Sequence, residues 1–434
     1  YTLRTLLTDL GLREPLAGAE AVALGGVAID SRTVQAGNLF VALPGERTDG
    51  HAYVEAAFRA GAAAALVSRA VDGHPVVDVA SGARPDAWRA PIAVRVADTL
   101  SALQRAAGAR RLARPDLRVV GVTGSVGKTT TKEAVSAVLA GRFATLHSAG
   151  NRNNEIGLPL TLMGLRAEHR VAVLEMGMYD LGEIATLCEI ARPQVGVVTN
   201  VGPVHLERLG TMERIAQAKG ELLAALPEGG VAVLNGDDPR VAAMPTPGGV
   251  HRLTYGLGAE NDVRATRVMG EGLGGVRFAA QVSARPELGI AAGSAELHVP
   301  TPGVHTVLPA LAAVAVGLVE GLGWGEIARG LEAQAAALRL APKRVRGGGV
   351  TLLDDTYNAS PLSTRAALDL LAQLPGRRVG VLGDMLELGA YEAQGHREVG
   401  ERAGEILDVL VTVGPRAVGI ADAAVRRGLP PEAV

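Results

Sequence analysis

Four nearly continuous apolar runs constrain the fold most: Leu117–Gly124 (LRVVGVTG), Arg170–Gly177 (RVAVLEMG), Gln194–Gly202 (QVGVVTNVG) and Gly229–Asp237 (GGVAVLNGD). Each is short enough for a strand, and amphipathic helical stretches separate them. A strand with one wet face alternates apolar and polar residues, whereas an uninterrupted apolar strand is buried on both faces. The pattern over residues from about 117 to 338 therefore predicts a parallel sheet with helices on both sides. The Gly-rich stretch Val263–Val299 reads as an inserted set of weaker strands.

The flanking regions have a different texture. Residues 1 to about 97 mix short strands (Asn38–Leu43, Ala63–Val67) with a helix over His51–Ala60, and SGARPDAWRAP interrupts them. A helix is predicted from Thr99 toward Pro115. After Pro342 a third α/β pattern begins, with strands in VTLLDD, RVGVLGD and VLVTVG. A doubly wound domain usually carries at least one more strand and helix than follow here, so this domain is expected to be incomplete. The expected division is an N-terminal α/β domain over 1–97, a central parallel-sheet P-loop domain over 98–338 and a C-terminal Rossmann-like α/β domain over 339–434.

Composition narrows the function classes. A net charge of -2 without a long Lys/Arg run argues against an extended nucleic-acid surface. The one cysteine, Cys188, excludes an intrachain disulfide and a cysteine metal cluster, and its setting (TLCEIA) reads as a buried helix face. No apolar run reaches the ~18 residues of a membrane span. A monomeric cytoplasmic enzyme is the expectation.

The first run leads into Thr123-Gly124-Ser125-Val126-Gly127-Lys128-Thr129 and then a helical stretch ending near Gly141. Strand, Gly-rich turn and helix together are the setting of a phosphate-binding loop. Its glycines let the backbone approach phosphates, toward which the helix-start N–H groups point. Lys128 supplies a point charge for the β- and γ-phosphates, and the Thr129 hydroxyl suits Mg²⁺. The strict P-loop spacing asks for glycine where Val122 stands. ATP binding is the inference.

Ligands of parallel α/β sheets gather beyond the carboxyl ends of the strands. Glu175 ends its strand and offers a hard oxygen for Mg²⁺. His205 follows the strand-ending Asn200 by five residues, and taken alone it reads as a structural histidine. Lys219, within MERIAQAKGELLAAL, alone reads as an exposed helix lysine. Asn235-Gly236-Asp237-Asp238-Pro239 is either a plain turn or a set of nucleoside contacts.

With these residues laid out, the chain resembles the Mur ligases, ATP-dependent amide-forming enzymes of peptidoglycan precursor synthesis, from Asp30 to about Gly414. The resemblance rests on IDSRTVQAGNLFVALPGERTDGHAYVEAAFRAGA, VTGSVGKTTTKE, NRNNEIGLPLTLM, the long stretch from LEMGMYDLG to IAQAKGEL, DDTYNASP and VLGDMLELG. The elements NRNNEIG, DDTYNASP and VLGDMLELG are similar to those of the family's D-alanyl-D-alanine-adding branch. They speak against the preceding ligase, which adds a diamino acid.

The resemblance implies a reaction and its residues. The substrates would be UDP-N-acetylmuramoyl-tripeptide and D-alanyl-D-alanine, joined through an acyl phosphate. Glu175 and His205 match magnesium ligands, with Thr129, and Lys219 matches a lysine that carries a carbamate in related ligases. Asn235 and Asp237 look like nucleoside contacts. Arg344 matches an arginine near the γ-phosphate, and Asp355, Tyr357 and Asn358 match residues that close on the nucleotide. Ser31, Arg32, Asp49, Gly50 and His51 fall in the UDP-sugar region, and Asn151, Asn153 and Asn154 in a second precursor-binding stretch. Three features depart from the family. Its His-Asn-x-x-Asn near the adenine reads His305-Thr306-Val307-Leu308-Pro309, its Gly-Arg pair reads Lys343-Arg344, and its C-terminal Lys-Gly-Ser-Arg is missing.

Overall fold

The computed structural model describes residues 1–13, 16–45, 48–333, 342–345, 349–356 and 358–434. The chain divides into two units. One holds Tyr1–Leu117, Ser148–Arg170 and Thr186–Arg192, and the other holds Arg118–His147, Val171–Ala185 and Pro193–Val434.

The first unit is built on five parallel strands, β1 (Gly26–Ala28), β2 (Asn38–Val41), β3 (Ala64–Val67), β4 (Val76–Asp78) and β5 (Ile92–Arg95), in the order β1-β2-β3-β5-β4. Every residue of β2 and β3 is buried, as continuous apolar strands require. The region expected as one helix over His51–Ala60 opens as a 3₁₀ turn, Gly50–Tyr53, and becomes α-helical over Val54–Arg59. The helix after β5 runs Thr99–Leu112, three residues short of Pro115. It is capped by Asp98, whose carboxylate accepts from Ser101 N at 2.6 Å.

The second unit carries a nine-stranded sheet. Its strands are β6 (Arg118–Thr123), β7 (Thr145–His147), β8 (Val171–Glu175), β9 (Val195–Val198), β10 (Val231–Asn235), β11 (His251–Gly256), β12 (Val263–Gly270), β13 (Val276–Val282) and β14 (Gly293–Val299). Their order is β14-β13-β12-β11-β10-β9-β6-β8-β7. The strands from β7 to β12 pair in parallel. The Gly-rich stretch expected as weaker strands is an antiparallel extension, β12-β13-β14, with a register shift in β12 between Thr266 and Met269.

Both faces of this sheet are covered, and successive residues of β6 show how. Val120 and Val122 pack with Ala134, Val135 and Val138 of the helix Lys128–Ala140 and with the wholly apolar helix Val307–Val319. Gly121 points the other way, where a Cβ would fall 2.9 Å from Leu222 of the helix Met212–Ala224. From β6 the chain winds to one side through β7 and β8, then crosses to the other through β9. The crevice at the carboxyl ends of β6 and β9 is thus a switch in winding direction, where ligands of such sheets bind.

After Pro342 the strands β15 (Pro342–Arg344) and β16 (Thr351–Leu353) form an antiparallel pair, while β17 (Val379–Gly383) and β18 (Val409–Val413) pair in parallel. The run VTLLDD thus pairs with β15 rather than joining β17 and β18. Helices Pro361–Ala372, Glu392–Ile406 and Val418–Arg427 pack around a core that includes Leu368, Met385, Val399 and Ile420.

Candidate active site

The phosphate-loop geometry begins at Thr123, whose hydroxyl donates to Met176 O at 2.7 Å. Gly124 has a φ of +148°, and a Cβ there would lie 1.9 Å from Thr199 Oγ1, so only glycine fits. Gly127, at φ +83°, is the left-handed N-cap of the helix Lys128–Ala140. The loop is tied to the end of β9. The Asn200 side chain accepts from Val126 N and donates to Val126 O, both at 2.9 Å, and Thr199 Oγ1 donates to Val126 O at 2.8 Å. Ser125 N donates to Asn200 O at 3.0 Å, and Ser125 Oγ bridges Gly202 N and O at 2.8 and 3.0 Å. Thr199 and Asn200 had no functional place in the sequence reading; their partners lie more than 70 positions away.

Around the loop, five expected residues converge. Lys128 folds back, with Nζ donating to Gly124 O at 2.8 Å and Ser125 O at 3.1 Å. Thr129 Oγ1 donates to the buried carboxylate of Glu175 at 2.8 Å. Lys219 is 2% exposed, not an exposed helix lysine, and burial together with the nearby Lys128 charge pushes its ammonium far below the usual lysine range. Burial also lowers the His205 imidazole; Lys128 and Lys219 act in the same sense, and Glu387 opposes them. His205 Nδ1 faces the Glu387 carboxylate, and the ring meets Tyr179 edge-on with centroids 4.9 Å apart.

Beside the loop lies a cavity of about 340 Å³. Val126, Gly127, Thr199 and Asn200 form its phosphate-side wall, Asn235 and Tyr255 its sheet side, and His305, Thr306, Leu308 and Pro309 the wall opposite. Asp355, Leu362 and Ala366 line it from the C-terminal region. Of the expected nucleoside residues, Asn235 and Asp355 reach this cavity. Asp237 is not among the lining residues; its carboxylate accepts from Leu257 N at 2.6 Å, Gly258 N at 2.9 Å and Asn261 Nδ2 at 2.9 Å. Asn358 is exposed and does not line the cavity. Arg344 ends β15, but its side chain and the whole of Tyr357 lie outside the described residues.

In the first unit the expected precursor residues form two local networks and a turn that leads into a helix. Asp30 accepts from Arg32 N at 3.0 Å and from its guanidinium at 2.6 Å, beside Ser31. Asp49 accepts from His51 N at 2.9 Å and pairs with His51 Nδ1 at 2.7 Å and with Arg69 at 2.9 Å. These bonds hold the Asp49 carboxyl below its ordinary value. Because Ser68 N donates to His51 Nε2 at 2.8 Å, the ring proton sits on Nδ1 and faces Asp49. A Cβ at Gly50 would lie 2.7 Å from the Leu43 backbone. Asn154 Oδ1 accepts from Gly157 N at 2.9 Å, starting the helix Gly157–Met163, while Asn151 and Asn153 sit in the turn before it.

A Gly-rich loop between a central parallel strand and a helix, with a hydroxyl bonded to a strand-end carboxylate, defines a P-loop nucleotide-binding protein. Family models resolve the class further: a Mur ligase family catalytic domain matches residues 24–111, a Mur ligase middle domain 122–317, and a Mur ligase glutamate ligase domain 339–433. UDP-N-acetylmuramoyl-tripeptide–D-alanyl-D-alanine ligase of Bacillus subtilis is 38% identical, covering 94% of this chain and 84% of the relative. A crystal structure of MurF from Acinetobacter baumannii is 32% identical with a TM-score of 0.81, covering 98% and 88% of the two chains. MurF ligase from Thermotoga maritima in complex with ADP is 29% identical with a TM-score of 0.72, covering 92% and 86%. The chain belongs to the Mur ligase family.

Proposed function

We infer that the chain is an ATP-dependent amide ligase joining D-alanyl-D-alanine to UDP-N-acetylmuramoyl-tripeptide in peptidoglycan precursor synthesis. The observation that carries this is similarity along nearly the whole chain, at 37 to 39% identity, to ligases with that printed activity. The phosphate loop supplies the ATP side of the reaction.

A carboxylate does not condense with an amine in water because hydroxide is a poor leaving group. The terminal carboxylate of the tripeptide attacks the γ-phosphate and gives an acyl phosphate and ADP. The dipeptide amine then attacks the acyl carbon, and phosphate leaves. Lys128 and the loop N–H groups offset the charge on the transferring phosphoryl group, and Arg344 is assigned to the same charge.

Thr129 and the buried Glu175 are hard oxygen donors bonded to each other at 2.8 Å, so these residues fit Mg²⁺. Among the described residues no three His, Cys, Asp or Glu side chains form a ready-made cage. When bound, the cation would neutralise charge on the β- and γ-phosphates. Burial disfavours the charged form of the His205 imidazole, and burial with the Lys128 charge favours the neutral Lys219 amine that carbamate formation requires. A carbamate on Lys219 would make it an anionic ligand.

The remaining assignments follow the same reading. Asn235, Asp237, Asp355, Tyr357 and Asn358 serve the nucleoside, and Asp237 also braces the turn after β11. Ser31, Arg32, Asp49, Gly50 and His51 take the uridine nucleotide, and Asn151, Asn153 and Asn154 the precursor. Residues 1–97, 98–338 and 339–434 divide these tasks. The protein works as a monomer in the cytoplasm, where both nucleotide substrates occur; no helix among the described residues is long and apolar enough to cross a membrane.

The test is phosphate release from ATP. Turnover is expected only with UDP-N-acetylmuramoyl-tripeptide and D-alanyl-D-alanine both present. Turnover without the dipeptide, or with a free diamino acid in its place, would overturn the reading.

A further inference from the structure

Beyond β17 the chain runs through Asp384–Gly389 and returns to the phosphate site. Met385 and Leu388 are each 1% exposed and anchor the segment in the C-terminal core. Between them Glu387 projects to His205 Nδ1. Gly389, at φ +52°, lies so close to the short helix Leu206–Leu209 that a Cβ would fall 2.9 Å from Glu207 Cα. His205 is the N-cap of that helix.

The contact is unusual in its backbone. His205 has a φ of +62° and Glu387 a φ of +63°, so two non-glycine residues in left-handed conformation face each other. Such backbone is unfavourable for side chains of this kind and persists only where the surroundings hold it. Here the Gly389 seat and the buried Met385 and Leu388 hold Glu387, while Tyr179 packs edge-on against the His205 ring.

A carboxylate on one imidazole nitrogen fixes both the tautomer and the direction of the other nitrogen. With Nδ1 turned to Glu387, Nε2 is the nitrogen left to serve as a ligand, on a ring that feels the charges of Lys128 and Lys219. We propose that Glu387 is a positioning residue for His205, supplied by the C-terminal region. The imidazole is then set for the metal–phosphate site only while the Asp384–Gly389 segment is seated on the helix Leu206–Leu209. This rests on the reading of His205 as a metal ligand.

The experiment measures Mn²⁺ binding by electron paramagnetic resonance, on the full chain with a non-hydrolysable ATP analogue. Glu387→Ala should weaken Mn²⁺ binding by about 10- to 100-fold. Glu387→Gln, which keeps an acceptor for Nδ1–H at the same length, should weaken it only a few-fold. In steady state both variants should raise the metal concentration for half-maximal rate without raising the KM for the UDP precursor. Wild-type Mn²⁺ affinity in both variants would overturn the proposal, provided His205→Ala weakens binding. Unchanged binding in His205→Ala would remove the ligand role of His205 itself, and the proposal with it, while leaving the ligase assignment to the phosphate-release assay. A merely structural Glu387 would lower the melting temperature without separating Ala from Gln in metal affinity.

Discussion

The two ends of the nucleotide site are built on different principles. At the phosphate end, backbone geometry does the binding, and long-range side-chain bonds fix that backbone. Gly124 has no room for a Cβ, Asn200 and Thr199 hold Val126, and Glu175 holds Thr129. At the other end Leu308, Pro309, Leu362 and Ala366 line the cavity together with His305, Thr306 and Asp355, and its amides already serve the protein. Asn200 is bonded to Val126, and Asn235 donates to Thr199 O at 2.8 Å and accepts from Asp237 N at 3.1 Å. Thr306, in place of a family asparagine, donates to Gly303 O at 2.7 Å. A triphosphate carries charge that must be met by aimed donors, whereas a base can be held by apolar contact and shape. The contrast predicts steep effects at the first end and shallow ones at the second.

The steepest test is Lys128→Ala. Removing the charge assigned to the transferring phosphoryl group should lower kcat by about 10³-fold or more, roughly 4 kcal/mol of transition-state stabilisation. The melting temperature should stay within a few degrees. A kcat within tenfold of wild type would mean that the loop does not carry the chemistry.

Gly124→Ala attacks the same end through the backbone. A Cβ there would meet Thr199 Oγ1 at 1.9 Å, and the φ of +148° is itself unfavourable for alanine. Overpacking of this sort costs about 1–3 kcal/mol, read as a lower urea midpoint with an unchanged slope. Thr199→Ala in the same chain should recover part of the loss, because it removes the clashing oxygen.

Lys219→Met separates function from stability. The buried lysine binds fewer protons folded than unfolded, so wild-type stability should rise with pH between its lowered folded-state pKa and the ordinary value near ~10.4. The destabilising contribution is fully present below the folded-state pKa and vanishes above the unfolded one. In bicarbonate-free buffer at pH 7 the variant should therefore be more stable by about 1–2 kcal/mol, and inactive. A pH–stability curve that parallels wild type would show that the lysine titrates normally.

How much of this was legible in the sequence follows the same divide. Continuous apolar runs gave the sheet, and a strand–glycine–helix sequence placed Lys128 and Thr129, because those signals are local. Glu175 was visible as a strand end. The local readings of His205 and Lys219 were bland because burial is a tertiary property; the family resemblance, not the periodicity, singled them out. The bonds of Asp237 were not legible, since its partners lie 20 to 24 residues on, in a turn that no local pattern announces. The pairing of β16 with β15 was hidden for the same reason: a three-residue strand does not say which edge it joins. Glu387 stood in a quoted motif without a role, since its partner His205 is 182 positions earlier in the chain.

The shallowest effect belongs to the base end. A site whose buried groups hydrogen-bond one base edge rejects an analogue lacking that pattern by about 10⁴-fold or more, because the groups are left unpaired. Here the amides that could read the edge are bonded to the protein, and Pro309 has no donor. Inosine triphosphate, which carries an oxygen where ATP carries the 6-amino group, should therefore support ligation with a kcat/KM within about tenfold of ATP. A difference near 10³-fold would show that another group reads the base. Pro309→Asn sharpens the comparison: it puts an amide into the cavity wall within the first turn of the helix Val307–Val319, where losing proline costs no interior hydrogen bond. If the new amide meets the 6-amino group, the preference for ATP over the inosine nucleotide should rise by about three- to tenfold, the worth of one neutral hydrogen bond. The rise should appear in KM alone, since the phosphates, and with them kcat, are held at the other end.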